Sequence, residues 1–180
     1  MEKGETGKKI MILGVGNVLL KDEGVGVHVA THLKTFPLPD HIEVIEGGTD
    51  GFKLFHLILD TDRLIVVDCV KGDGEPASLY RFNIDEYTHF PDTYKTSVHQ
   101  ISIDEVVTLS GAVGDSPETT FIGIEPAEIS MSLELSPAIE EKIPRILELV
   151  LETAGLDPTD YSEHLKGPFA KPGPPRYADS

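Results

Sequence analysis

The chain has 180 residues, the size of one ordinary domain, and its 31 acidic and 15 basic residues give a formal net charge of −16. This charge argues against nucleic-acid binding, because such proteins gain affinity from Lys and Arg contacts with phosphates. It also disfavours anionic membrane surfaces, and no apolar run reaches the ~18 residues of a membrane-spanning helix. A single cysteine, Cys69, excludes an internal disulfide framework and a Cys-rich zinc finger. The expected location is the cytoplasm.

The excess of acidic residues lies in the middle of the chain. Residues 1–9 hold three bases and two acids, and residues 157–180 hold four acids and three bases, so residues 10–156 carry the whole −16. Five prolines and few large apolar residues in 157–180 predict a loose or partner-docked tail. Residues 1–9 are charged, lack the apolar stretch of a secretory signal and predict a flexible tail. We therefore predict one folded domain, residues 10–156, between two tails.

Between the tails, apolar runs typical of strands alternate with apolar residues at helical spacing. Strands are predicted, in chain order, at 10–13, 42–45, 64–67, 79–82 and 121–124. Helices are predicted at 25–36, 52–59 and 101–109, and from Ser136 to Gly155. In the last helix Ser136 is placed to cap the first turn, and Pro144 should bend the helix. The alternation predicts an α/β domain with a mostly parallel sheet and helices on both faces, whose sites lie at the C-terminal ends of strands.

The turn after the first strand, Gly14-Val15-Gly16, has two interpretations. Two closely spaced glycines allow a tight turn, and they also begin a dinucleotide-binding fingerprint. The third glycine of that fingerprint is missing, because Leu19 stands at its position. A tight strand-to-loop turn is therefore the favoured interpretation over a nucleotide-binding loop.

The pair Asp22-Glu23 precedes the first helical stretch and is followed by Gly24 and Gly26. Acidic residues in a first helical turn are stabilised by the helix dipole, so a capping role is the simple interpretation. The glycines, however, cost about 1 kcal/mol each relative to Ala in a helix. We read this cost as a sign that another group approaches the backbone closely, which favours a functional site.

Asp68 directly follows the apolar run 64–67, at the end of a predicted central strand where active sites of α/β proteins lie. A turn-forming or capping role is the alternative. Its neighbour Cys69 is interpreted as a buried core thiol rather than a nucleophile.

Of the seven histidines, His28 and His32 have the i, i+4 spacing of a metal-binding pair but lack the glutamate of a zincin motif. His99, at the start of a predicted helix, is a further candidate, although a lone histidine there is more often a cap. Together Glu23, Asp68 and His99 form an oxygen, oxygen, nitrogen set that suits Ni, Zn, Mn or Fe. Spacing alone leaves open whether the three side chains converge.

Six stretches carry a resemblance in their order along residues 9–155. They are 12–27 (ILGVGNVLLKDEGVGV), 47–51 (GGTDG), 66–70 (VVDCV), 97–100 (SVHQ), 121–126 (FIGIEP) and 135–137 (LSP) with the helix that follows. In this order they resemble the motifs of the [NiFe]-hydrogenase maturation proteases. The resemblance implies a three-layer sandwich around a five-stranded sheet. It also implies an endopeptidase that cuts a C-terminal extension from the hydrogenase large-subunit precursor after nickel insertion.

The resemblance also implies roles for individual residues. Glu23, Asp68 and His99 correspond to the metal-contacting and catalytic residues of the family. Gly47, Gly48 and Thr49 correspond to a substrate-recognition loop. Glu46 stands where the family often has Asp, so its role stays open. The metal would be nickel carried by the precursor, although other divalent metals can occupy such a site.

No serine or cysteine triad can be assembled from these motifs, so we expect metal-centred recognition, with the nickel either only recognised or also acting as a Lewis acid. A nickel-sensing or nickel-delivering maturation chaperone would use the same ligands without cutting the precursor. A nucleotide-binding module is disfavoured by Leu19 and by the acidic pair at the turn, which would repel phosphate. The expected partner is the large-subunit precursor, without nucleic-acid binding or membrane insertion.

Overall fold

The computed structural model describes residues 7–48, 54–88 and 103–173. Five strands lie in these ranges: β1 (Ile10–Val15), β2 (Ile42–Gly48), β3 (Arg63–Cys69), β4 (Leu79–Asn83) and β5 (Glu118–Ile124). The α-helices are α1 (Val25–Leu33), α2 (Phe55–Leu59), α3 (Ile84–Thr88), α4 (Ile103–Val113) and α5 (Pro137–Thr153). Short 3-10 helices span Lys21–Gly24 and Pro158–Tyr161. None of the helices in these ranges is long and apolar enough to cross a bilayer.

The five strands form one sheet in the order β2-β1-β3-β5-β4. β1 pairs in parallel with β2 and β3, and β3 pairs in parallel with β5, whereas β4 runs antiparallel to β5. The chain passes from β1 to β2 on one side and then crosses to β3 on the other, so the strand order reverses beside β1. Crevices of open α/β sheets form at such a reversal, outside the C-terminal ends of the strands.

Helices cover both faces of the sheet, and each face has its own apolar core. On one face α1 and α5 pack against the sheet, with Val29, Leu33 and Ile146 among the buried side chains. On the other face residues of α2 and α4, including Ile58 and Val106, join the opposite side chains of β1 and β3. The predicted three-layer α/β sandwich with a mostly parallel five-stranded sheet is confirmed.

The glycines at the start of the first helix serve helix–sheet packing. A Cβ placed on Gly26 would lie 2.1 Å from the Val67 carbonyl oxygen and 2.4 Å from that of Val15. A Cβ on Gly14 would lie 2.0 Å from the Gly26 carbonyl oxygen. At Gly24, the other glycine of the predicted pair, a Cβ would lie 2.7 Å from the Val18 Cα. The close approach that Gly24 and Gly26 predict is therefore made by the protein's own backbone, and it is no sign of a ligand.

Gly155 ends α5 as predicted, whereas Ser136 at the start of α5 does not play its predicted role. Gly155, with φ of +81°, follows the helix, and the Leu156 amide bonds back to the Leu151 carbonyl, as predicted for a glycine-terminated helix. Ser136 stands at the N-cap but makes no capping hydrogen bond with its side chain. Its hydroxyl instead donates to a carboxylate oxygen of Asp22 at 2.8 Å, so the predicted capping role of the side chain is wrong.

Residues 157–173 pack on the domain, whereas their composition predicts a loose or partner-docked tail. Tyr161 is buried in the core shared by α1 and α5, and Phe169 packs against the same core. The His32 ring bonds to the His164 carbonyl at 2.9 Å and accepts the Ala170 amide at 2.9 Å. A few aromatic side chains and one histidine thus supply the contacts that the composition of the segment does not suggest.

Candidate functional site

Glu23 and Asp68 lie on neighbouring elements at the strand-order reversal. Glu23 belongs to the 3-10 helix that follows β1, and Asp68 is the penultimate residue of β3. The 3-10 helix contacts β3, and the absence of a side chain on Gly26 lets the helix start rest on the Val67 carbonyl, one residue before Asp68. The two carboxylates are thus carried to the same end of the sheet.

Both carboxylates are withdrawn from solvent. Burial raises the pKa of Glu23 above its usual value, and the nearby positive charge of Lys71 partly offsets this by lowering it. Asp68 is also buried, and its Oδ1 accepts the Cys69 amide at 2.7 Å. A desolvated carboxylate is costly unless a cation compensates it, so this crevice is suited to a positively charged partner.

The exposed Lys71 is near enough for its charge to lower the pKa of Glu23, and the sequence motifs do not reveal this neighbour. It lies in the loop after β3, and this loop is fastened by the buried Glu125, which accepts the Gly72 amide at 2.6 Å and the Tyr80 hydroxyl at 2.9 Å. Burial, followed by the hydrogen bond to Glu125, raises the pKa of Tyr80. Glu125 therefore holds the loop that brings one positive charge towards Glu23.

Asp22 differs from its neighbour Glu23, because its carboxylate is fully used by the protein. Its two oxygens accept the amides of Ala127, Glu128 and Ser136 at 2.7–2.9 Å, together with the Ser136 hydroxyl. The side chain has no solvent exposure. Asp22 thus joins the 3-10 helix to a loop more than 100 residues away, and the helix-capping role considered for the acidic pair does not describe it.

The two glycine-rich loops meet at the same end of the sheet. The Gly16 amide donates to the Gly48 carbonyl at 2.9 Å, and both glycines have positive φ, +127° and +56°. A Cβ on Gly16 would lie 1.9 Å from the Glu23 carbonyl oxygen, which supports the tight-turn interpretation of this loop.

Glu46 forms an ion pair with Lys34 at 3.3 Å on the surface. Thr49, the third residue of the predicted recognition loop, lies outside the described residues.

The predicted histidine ligand, His99, also lies outside the described residues. Within the ranges 7–48, 54–88 and 103–173, no three His, Cys, Asp or Glu side chains gather closely enough to hold a metal ion. His28 and His32 do not act as a metal pair, because both ring nitrogens of His32 bond to the C-terminal segment. Cys69 is buried in the core, as expected of a structural thiol.

The chain is similar to proteins of known role over most of its length. A family model described as hydrogenase maturation protease matches residues 27–153. The chain belongs to the hydrogenase maturation protease family. It is 32% identical over 145 residues to the hydrogenase 2 maturation protease of Escherichia coli, covering 79% of this chain and 88% of that one. Identity is 33% over 147 residues to the hydrogenase expression/formation protein HupD of Thiocapsa roseopersicina, of whose length the chain spans 66%.

The fold leads to the same family. The chain superimposes on the hydrogenase maturating endopeptidase HybD of E. coli with a TM-score of 0.73 and 28% identity, covering 83% of this chain and 95% of that one. This maturation protease fold confirms the family inferred from the six motifs, and the endopeptidase interpretation is supported over the chaperone and nucleotide-binding alternatives.

Proposed function

We propose that the protein removes the C-terminal extension from the nickel-loaded precursor of a [NiFe]-hydrogenase large subunit. Glu23, Asp68 and His99 contact the nickel that the precursor carries, and this contact positions the scissile bond. The observation that supports the proposal is that the 3-10 helix carrying Glu23 contacts β3, whose end carries Asp68, and that both carboxylates are buried beside the strand-order reversal. The proposed place of the reaction is the cytoplasm.

The residues of the crevice fit such a cation. Burial raises the pKa of Glu23 because it disfavours the charged carboxylate, so a divalent cation beside it would stabilise the ionised form. Two carboxylates and one imidazole suit nickel and related ions of intermediate hardness. A set of three protein ligands leaves coordination positions vacant for ligands from the precursor. Nickel thus acts as the element by which the enzyme recognises a finished precursor.

Gly47, Gly48 and Thr49 serve as the recognition loop for the peptide to be cut. Gly48 is bonded to the turn that precedes Glu23, so this loop borders the crevice. A backbone with small side chains allows an extended peptide to approach closely.

Substitution of the three proposed ligands tests this assignment. We expect Glu23→Gln, Asp68→Asn and His99→Ala each to reduce cleavage of the nickel-loaded precursor at least about 100-fold, as observed for loss of groups that hold the reacting centre. Glu43→Gln, which removes an exposed carboxylate from β2, is the matched control and should retain activity. The readout is the mass of the released peptide, with circular dichroism as the check on folding. Full activity in any of the three variants would remove that residue from the site.

A further inference from the structure

A loop beside the proposed site presents large apolar side chains to solvent. The loop, residues 127–136, connects β5 to α5, and we refer to it as the 127–136 loop. Ile129, Met131 and Leu133 alternate along it and are 37%, 81% and 49% exposed. Single exposed apolar residues are ordinary, but three within five residues of one short loop are a concentration of the kind that marks a protein interface.

The backbone of this loop is fixed by hydrogen bonds. Asp22 binds both ends of the loop through the Ala127, Glu128 and Ser136 amides. At its centre Ser132 pairs with the segment before the crevice, since its amide donates to the Leu19 carbonyl and its carbonyl accepts the Lys21 amide, both at 3.0 Å. The apolar side chains are therefore held outwards by a preorganised backbone. A preorganised surface loses little conformational entropy when a partner binds.

The acidic residues of the loop are neutralised locally. Lys21 binds Glu128 at 2.6 Å, and Lys171 forms an ion pair with Glu134. On a chain with a net charge of −16, this surface therefore offers apolar contact without an uncompensated carboxylate in the loop. Depletion of charged residues and enrichment in Met are features of the cores of protein interfaces, which are more apolar than the surrounding surface.

We propose that the 127–136 loop is the docking surface for the folded body of the large-subunit precursor. This inference rests on the proposed function and deepens it. The loop pairs with residues 19–22, which directly precede Glu23. Because the loop is bonded to the residues next to Glu23, a precursor whose nickel reaches Glu23 lies beside this loop, and apolar contact there adds affinity. Because the patch lies outside the metal contacts, it governs precursor binding and leaves the cleavage step unchanged.

The test compares two double variants that remove similar apolar groups from different surfaces. Met131→Ser with Leu133→Ser alters the proposed surface, and Leu109→Ser with Val113→Ser alters exposed positions of α4 as the matched control. We expect the first double variant to raise the KM for nickel-loaded precursor, and the Kd measured by biolayer interferometry, about tenfold, the usual effect of losing interface contacts. Its kcat and melting temperature should match those of the wild type. The control should match the wild type in all four quantities.

Three results would overturn the docking proposal. These are equal precursor affinity in the two double variants, a fall in kcat without a change in KM, and an effect limited to self-association. The last would appear in analytical ultracentrifugation as a wild-type dimer that the Met131/Leu133 variant converts to monomer without losing precursor affinity. Failure of the proposed function is distinguishable, because it would appear as wild-type protein that binds the precursor but leaves its mass unchanged.

Discussion

At the residue scale, two adjacent acids have different environments and therefore different uses. The Asp22 carboxylate accepts hydrogen bonds from four donors of the 127–136 loop. Glu23, in contrast, is buried near Lys71 and has a raised pKa. The first arrangement joins two distant segments of the fold, and the second is the environment of the carboxylate that we propose to contact the nickel. Sequence position alone could not separate them, because the partners of Asp22 are more than 100 residues away.

Removal of the Asp22 charge should destabilise the protein strongly. In Asp22→Asn the amide group would face amide donors, so buried N–H groups lose their acceptor. We expect the free energy of unfolding to fall by about 3 kcal/mol, measured by urea denaturation. Asp157→Asn is the control, because Asp157 accepts two hydrogen bonds from Thr159 on the surface. A comparable loss in both variants would show that the buried network contributes no more than a local turn.

His28 should make stability depend on pH. Burial lowers the pKa of His28, and so does Lys171, while Glu134, a Leu133 backbone hydrogen bond and Asp22 act in the opposite direction. Because the unfolded chain then binds a proton more readily than the folded one, the free energy of unfolding falls as the pH drops below about 6.5. The slope of this dependence is at most about 1.4 kcal/mol per pH unit.

The contribution of His28 is isolated by comparing two glutamine variants between pH 7.5 and 5. His28→Gln removes the buried titrating group and should flatten the pH dependence of the unfolding free energy. His56→Gln removes an exposed imidazole and should leave the dependence as in the wild type. Parallel curves for wild type and His28→Gln would assign the acid sensitivity to other groups.

At the site, the sequence motifs identify Glu23 and Asp68, and the structure carries both to one end of the sheet. The motifs do not reveal Lys71, because its effect arises through space and the loop that bears it is held by Glu125. The roles of Glu23, Asp68 and His99 in metal contact remain predictions.

At the element scale, the fold depends on how closely α1 approaches the sheet. The strands and most helices were predictable, because continuous apolar runs and helical periodicity depend on burial that is local in sequence. The packing role of Gly14 and Gly26 was not predictable, since nothing in the sequence shows which backbone atoms contact them. The role of the Ser136 side chain was not predictable for a similar reason. Its hydroxyl donates to the carboxylate of Asp22, which is distant in sequence, and does not cap the helix.

Gly26→Ala should force α1 away from the sheet. An added methyl group would overlap the carbonyl oxygens of Val67 and Val15, neither of which can move without breaking strand pairing. We expect a loss of at least about 3 kcal/mol in the free energy of unfolding, or failure to fold. Gly114→Ala is the control, because no atom lies within 4 Å of the position that its Cβ would occupy. Equal melting temperatures for the two variants would contradict the packing argument.

At the scale of the whole molecule, charge and composition have different predictive value. The net charge of −16 argues against nucleic-acid and anionic-membrane partners, but it does not show that the 127–136 loop is locally neutralised. Composition predicts a loose segment after residue 156, yet residues 157–173 cover α1 and α5. Average composition misses this packing because only a few side chains, Tyr161, Leu165 and Phe169, contact the core. The boundaries of the domain at residues 9–10 and 156–157 remain predictions.

The central claim is that the enzyme acts on a nickel-loaded precursor and recognises the nickel through Glu23, Asp68 and His99. The most direct test measures the mass of the large-subunit precursor after incubation with the protein, with nickel inserted and without it. We predict release of one C-terminal peptide from the nickel-loaded precursor and an unchanged mass for the nickel-free precursor. Equal cleavage of both forms would contradict nickel recognition, and an unchanged mass for both would contradict the proposed substrate.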